Sequence, residues 1–258
     1  MADTEHKHYH DDEFDPCCHF ETYFGNNNVF SEDMLEDFME NVYNVLSTDS
    51  LKGDVLIDIS CGLLTYQLFA AVDFFKDIFI IESSDCTIEE TQKWIKGDPS
   101  AINKSHFAKF ACSIKGQGTE WQEHEEKLRR AIRQVIKWDI SQENPLGSVV
   151  LPPADCLISV GYLEIVCKDH EMFLNLLNEF SSLLKIGGHL ILITAINFSY
   201  FTVGKHKFST LKIDEKGLRK DLADTGFVIE SSNKIERKLD SPMTDYEYLL
   251  CLLCCKEK

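Results

Sequence analysis

The chain has 258 residues and a formal net charge of −17, from 43 acidic against 26 basic side chains. That field repels phosphate backbones, so nucleic acid is excluded as a partner and a small neutral or cationic ligand is favoured. No apolar run approaches the roughly 20 residues that span a bilayer, and the polar, acidic start has no apolar signal core, so the sequence reads as cytoplasmic with no membrane partner.

Residues 1–13 read as a flexible tail in which His6, His8 and His10 are solvated, and residues 14–258 as one α/β domain. From Ser31, the spacing of Met34, Leu35, Phe38, Met39, Val42, Val45 and Leu46 predicts a helix with Ser31 as its cap. Val55 to Asp58 is an apolar run ending in an acid and the turn Ser60-Cys61-Gly62, which reads as a buried parallel strand feeding a helix over Thr65 to Phe75. Ile78 to Glu82 repeats that shape and closes a βαβ unit. A short helix is expected over Ile88 to Lys96, weak strand character at Phe107 to Cys112, and a basic-rich helix over Lys127 to Lys137.

Ala154 to Val160, introduced by Pro152-Pro153, is a third parallel strand. Phe173 to Leu184 is an amphipathic helix stopped at Gly187-Gly188, and His189 to Ala195 follows as a strand. A helix from Asp214 to Thr225 and strands at Phe227 to Ile229 and Tyr248 to Cys254 complete the chain. The last two strands pair antiparallel at one edge, because no helical pattern separates them. The ten cysteines are expected as reduced thiols; neither Cys17-Cys18 nor Cys251 with Cys254-Cys255 has the repeated spacing of a structural zinc site, so no metal is expected.

Glu82 lies about twenty residues past the first turn, where a nucleotide-binding α/β unit places the acid that accepts from ribose hydroxyls. The turn has one glycine where a dinucleotide loop wants three, which disfavours a pyrophosphate cofactor and leaves adenosine cofactors without one. Asp139 after the basic segment and the helix–GlyGly–strand unit at Leu183 to Ile193 complete the order of a class I S-adenosylmethionine methyltransferase. Asp58 either caps its own turn or touches the cofactor, and Asp139 has the same two readings.

The resemblance then becomes specific. Phe14-Asp15-Pro16, Tyr23-Phe24, Lys52 to Ile59, Tyr66-Gln67-Leu68, Glu125 to Arg129, Pro145-Leu146-Gly147, Leu151 to Cys156 and Ser181 to Lys185 with Gly187-Gly188 resemble the nicotinamide, phenylethanolamine and indolethylamine N-methyltransferase family, most of all its nicotinamide branch. It implies a Rossmann-like α/β fold with a mostly parallel sheet, an antiparallel edge, helices on both faces and a lid over about residues 14–28. It also implies an enzyme, expected as a monomer, that transfers a methyl group from S-adenosylmethionine to a small nitrogen or sulfur acceptor. A catalytically weak cofactor-binding relative with a regulatory role is the alternative.

The same resemblance implies cofactor contacts from His19, Phe24, Ser60, Gly62, Tyr66, Glu82, Thr87, Asp139, Ile140 and Val160, and acceptor contacts from Thr194, Phe198, Phe201 and Thr210. Several depart from the family pattern. Ser60 replaces a turn glycine, at a cost of about 1 kcal/mol if the backbone there needs a positive φ. Phe24 and His19 stand where tyrosines close over the cofactor. Thr194 replaces an aspartate of the nicotinamide branch, and Phe198 and Phe201 replace polar residues, so the acceptor pocket should be more apolar. Glu164 and Cys167 either line that pocket or face a helix, Tyr200 and Phe201 are equally core aromatics, and Glu164 or Asp245 could assist deprotonation of an amine.

Overall fold

The computed structural model describes residues 14–25, 29–48, 51, 53–63, 65–116, 120–142 and 144–257. The tail 1–13, with its three histidines, and positions 26–28 of the expected lid lie outside the described residues.

Asp15 opens the first helix, α1 (Pro16–Phe24). Its Oδ1 accepts from the N–H groups of Cys17 and Cys18 at 2.9 and 3.0 Å, and Pro16 fills the first helical position, where no N–H is needed. Next come α2 (Glu32–Leu46), β1 (Val55–Asp58), α3 (Tyr66–Ala71), β2 (Asp77–Glu82), α4 (Asp85–Ile95), α5 (Ser105–Ile114), α6 (Trp121–Ala131) and β3 (Ile132–Lys137). The chain continues through β4 (Ala154–Val160), α7 (Leu163–Val166), α8 (His170–Leu183), β5 (Leu184–Ile196), β6 (Tyr200–Val203), β7 (His206–Ser209), α9 (Glu215–Asp224), β8 (Phe227–Glu236) and β9 (Tyr248–Lys256).

Seven strands form one sheet in the order β3-β2-β1-β4-β5-β9-β8. The first five are parallel, and β9 pairs antiparallel with both β5 and β8. Strands β1 and β4 are almost wholly buried, which is why they read as continuous apolar runs. Because β1 lies between β2 and β4, the strand order reverses there, and the carboxyl ends of β1, β2 and β4 open onto a crevice.

Several segments differ from the sequence expectation. Phe107 to Cys112 is helical, inside α5, because Phe107, Ala108, Ala111 and Cys112 make one buried face at helical spacing. The segment Lys127 to Lys137 is not one helix: α6 stops at Ala131 and the chain turns straight into β3. Its charges suit an edge strand, where exposed Arg133 and Lys137 discourage further pairing. The helix after the first turn ends at Ala71 rather than Phe75. Ser31 occupies the N-cap position of α2 but its hydroxyl makes no capping bond. The Gly187-Gly188 stop is absorbed into β5, which begins at Leu184 and is irregular opposite Ala154 to Cys156. Among the described residues, no helix is long and apolar enough to cross a membrane.

Candidate active site

A cleft with about 600 Å³ of empty volume, part of it open to solvent, lies at the carboxyl ends of β1, β4 and β5. Helix α1 roofs it with His19, Tyr23 and Phe24; Cys61, Tyr66, Val160 and Gly161 floor it; Phe198, Phe201 and Tyr246 wall it. The roof is latched. Tyr23 Oη lies 3.1 Å from the carbonyl oxygens of Thr202 and Met243 and accepts from Thr202 N–H at 3.1 Å. The hairpin of β6 and β7, which the sequence pattern did not reveal, therefore holds the roof, with Phe201 stacked on Phe208 at 5.2 Å and Phe14 edge-on to Phe208.

The floor is a buried polar network. Asp58 Oδ1 accepts from Ser60 Oγ and Gln67 Nε2, both at 2.9 Å, and Ser60 Oγ accepts from Val160 N–H at 3.2 Å. Asp58 is therefore a turn organiser. Burial pushes its carboxyl up to about 7 despite these bonds and the nearby Lys104 cation. Ser60 escapes the expected penalty, since among the described non-glycine residues only Asn197 has a positive φ. Gly62 takes the left-handed conformation instead, at φ 63°, and a Cβ on it would stand 3.1 Å from His19 Nδ1. A side chain there would be both strained and crowded. Lys104 lies beneath the turn, fully buried, donating to Leu63 O at 3.1 Å; burial lowers its ammonium to about 7.

Two further strand ends carry the residues expected to contact the cofactor. Glu82 closes β2, and its Oε1 accepts from the N–H groups of Ser83 and Ser84 at 2.6 and 2.8 Å. Thr87, in the first turn of α4, buries a hydroxyl that has no hydrogen-bond partner. Asp139 follows β3, where Oδ1 accepts from Ser141 N–H at 3.0 Å and Ser141 Oγ at 2.6 Å, bonds that hold its carboxyl below the usual range. Trp138 N–H donates to Glu82 O at 2.9 Å, which fixes the Asp139-Ile140 turn beside the β2 end.

His19 is buried among Phe14, Tyr23, Phe24 and Phe201, with ring centroids 5.0 to 6.3 Å away. Its Nδ1 has no hydrogen-bond partner, and burial lowers the imidazole to about 4, so the ring is neutral at pH 7. On the opposite side Glu164, in α7, lines the same cleft. Its Oε1 accepts from Ala195 N–H at 2.8 Å, while Oε2 is buried without a hydrogen bond; burial raises the carboxyl to about 7. Gly161, in the left-handed conformation at φ 56°, turns the chain from β4 into α7, which carries Glu164.

The acceptor-side residues divide. Phe198 and Phe201 line the cleft. Thr194 is buried behind it, with Ile193 and Ala195 forming the lining on either side, and Thr210 spends its hydroxyl on Phe198 O at 2.8 Å. Asp245 is not placed as a base: its Oδ1 accepts from the N–H groups of Ser199 and Tyr200 and caps the hairpin. Cys167 is buried but does not line the cleft.

A parallel sheet with this order and an antiparallel edge, open at its carboxyl ends, is the class I methyltransferase fold. Solved structures agree in fold: the N-methyltransferase NodS from Bradyrhizobium japonicum in complex with S-adenosylhomocysteine has a TM-score of 0.55 at 12% identity, covering 94% of this chain and 97% of its own. Magnesium protoporphyrin IX methyltransferase from Synechocystis, with bound SAM, has a TM-score of 0.54 at 14% identity, covering 95% and 99%. The NNMT/PNMT/TEMT family model matches residues 3–257, and the chain belongs to that family. Human nicotinamide N-methyltransferase is 36% identical over 245 residues, 94% of this chain and 93% of the relative. Mouse indolethylamine N-methyltransferase is 34% identical over 223 residues, 86% and 84% of the two chains. The protein is an S-adenosylmethionine-dependent methyltransferase.

Proposed function

We propose that the protein transfers a methyl group from S-adenosylmethionine to the nitrogen of a small, largely apolar amine. The observation that carries this reading is Glu164: a single buried carboxylate, held by Ala195 N–H, lining a cleft otherwise walled by aromatic and aliphatic side chains. Such a group in such a place selects a ligand with one basic nitrogen on an apolar body.

The residues present fit the cofactor. Glu82 would take the ribose hydroxyls, Asp139 and Ile140 the adenine, and Gly62, with Thr87 and His19, would lie along the rest. The orphaned Thr87 Oγ1 and His19 Nδ1 are buried polar atoms that gain partners when a ligand enters. Bound there, S-adenosylmethionine supplies an electrophilic methyl on a sulfonium.

The chain's own contribution is positioning and proton management. Phe198 and Phe201 orient the acceptor body, Phe24, Tyr66 and Val160 line the cofactor's part of the cleft, and the latched α1 roof covers one side of it. Glu164, poised near 7, accepts a hydrogen bond from the acceptor nitrogen and takes the proton that the methylated product loses. Position 194, buried behind the cleft, carries a threonine where the nicotinamide branch has an aspartate, and the carboxylate that lines the cleft is that of Glu164, so nicotinamide is a poor acceptor. Ten free thiols and a charge of −17 fit a cytoplasmic enzyme working as a monomer on free small molecules. Comparing methyl transfer to arylalkylamines with transfer to pyridines tests the reading; preference for pyridines would refute the assignment of Glu164.

A further inference from the structure

At the other end of the sheet, His189 of β5 stands directly opposite Cys255 of β9 in the antiparallel register. Directly opposed residues share a face. On the next strand, the register of β8 against β9 slips between Ile229 and Ser231, and the residue inside the irregularity is Glu230. A bulge of this kind re-aims a side chain. The imidazole, thiol and carboxylate converge so that one ligand atom from each lies within 4.8 Å of the other two, and they are the one such trio among the described residues.

His189 Nε2 is buried and makes no hydrogen bond, although Glu230 Oε2 is only 3.2 Å away. The two atoms approach without the alignment an N–H···O bond requires. Their spacing instead matches two ligands on one tetrahedral ion: bonds of about 2.0–2.2 Å at the tetrahedral angle put nitrogen and oxygen roughly 3.3 Å apart. A thiolate on the same ion sits about 3.6 Å from the nitrogen. Cys255 Sγ makes only a weak contact with Lys256 O, at 3.9 Å, so little is lost when it turns inward.

We propose that His189, Glu230 and Cys255 bind one divalent zinc-type ion, with water as the fourth ligand. Imidazole and thiolate favour such an ion over magnesium or calcium. Binding forms Zn–N, Zn–O and Zn–S bonds and releases the thiol proton to solvent. The ion would clip β5, β8 and β9 together. From His189 to Ala195, which lines the cleft, the strand runs about 20 Å at ~3.3 Å per residue, so this site is separate from the methyl-transfer cleft. The ligands are far apart in the chain, which is why cysteine spacing gave no sign of them.

The test uses the full-length reduced protein with Co²⁺ as a spectroscopic probe and Zn²⁺ as competitor. One equivalent of Co²⁺ should give a thiolate-to-cobalt charge-transfer band that Zn²⁺ abolishes, and Zn²⁺ should raise the melting temperature. In Cys255→Ser the band should vanish. In His189→Gln and Glu230→Gln, Zn²⁺ affinity should fall by more than the roughly 10–100-fold that loss of a ligand's hydrogen-bonding support costs. Glu230 is exposed, so its variant folds irrespective of the others. Zn²⁺ should also slow alkylation of Cys255, read by mass spectrometry, and leave the exposed Cys86 unaffected. A band that survives Cys255→Ser, or that disappears only when His6, His8 and His10 are replaced, would overturn the proposal, as would undiminished alkylation of Cys255.

Discussion

Glu164 Oε1 accepts a hydrogen bond from Ala195 N–H at 2.8 Å, so the carboxylate that lines the cleft is clamped to the end of β5. The clamp fixes one carboxylate oxygen. Glu164→Gln keeps the shape and removes the charge. For amine acceptors kcat/KM should fall about 10–100-fold, the worth of a charged hydrogen bond of roughly 1.5–3 kcal/mol, while a pyridine acceptor, which needs no base, should change little. The wild-type rate with an amine should rise with pH through about 7, as Glu164 ionises, and the variant should lose that limb. Steady-state profiles of both proteins decide it.

Glu82 and its turn give a second prediction. Its carboxylate already receives two backbone N–H groups, which orient it before a ligand arrives. Affinity for S-adenosylhomocysteine by calorimetry should follow wild type, then Glu82→Gln, then Glu82→Ala, with the alanine variant weaker by about 1.5–3 kcal/mol or more. Equal affinities would remove β2 from the nucleotide site.

Asp139 doubles as the cap of its own loop through Ser141. Asp139→Ala should weaken S-adenosylhomocysteine binding by roughly 10–100-fold. Ser141→Ala removes one of the two capping bonds and should leave the affinity within about threefold, roughly half a kcal/mol. Equal loss in both variants would reduce Asp139 to a cap.

Lys104 links the site to stability. Its ammonium is lowered to about 7 from the ordinary 10.5, chiefly by burial, so between pH 7 and 10.5 the unfolded chain holds a proton that the folded chain does not. Stability from this group therefore rises with pH across that window. Asp58, raised to about 7 from 3.8, works in the opposite sense between pH 3.8 and 7, where stability falls as pH rises. Lys104→Met should flatten the dependence above pH 7, read as melting temperature, where ~1 kcal/mol moves a domain of this size by about 2–4 °C.

The sequence made β1, β2 and β4 legible because strands buried on both faces have nowhere to hide a polar residue. Edge strand β3 was not: Arg133, Gln134 and Lys137 face solvent, and mixed charge in a short run looks like a helix surface until pairing with β2 is known. The α5 misreading has a similar cause, since aromatic and small residues occur in both element types. Gly62, Glu82 and Asp139 are readable as cofactor-contact candidates because they stand at or just after strand ends. Which of its two readings Glu164 takes, and the latch of Tyr23 on the β6–β7 hairpin, cannot be read from the sequence, because both depend on contacts between segments distant in sequence.

The most direct measurement is a methyl-transfer assay with isotope-labelled S-adenosylmethionine over a panel of arylalkylamines, pyridines and thioethers, with product masses determined and Glu164→Gln run alongside. N-methylated amine should be the principal product, with little product from nicotinamide and a loss of roughly 10–100-fold with amines in the variant. Tight S-adenosylhomocysteine binding with no transfer to any acceptor would contradict the proposed function, and so would amine turnover that Glu164→Gln leaves unchanged.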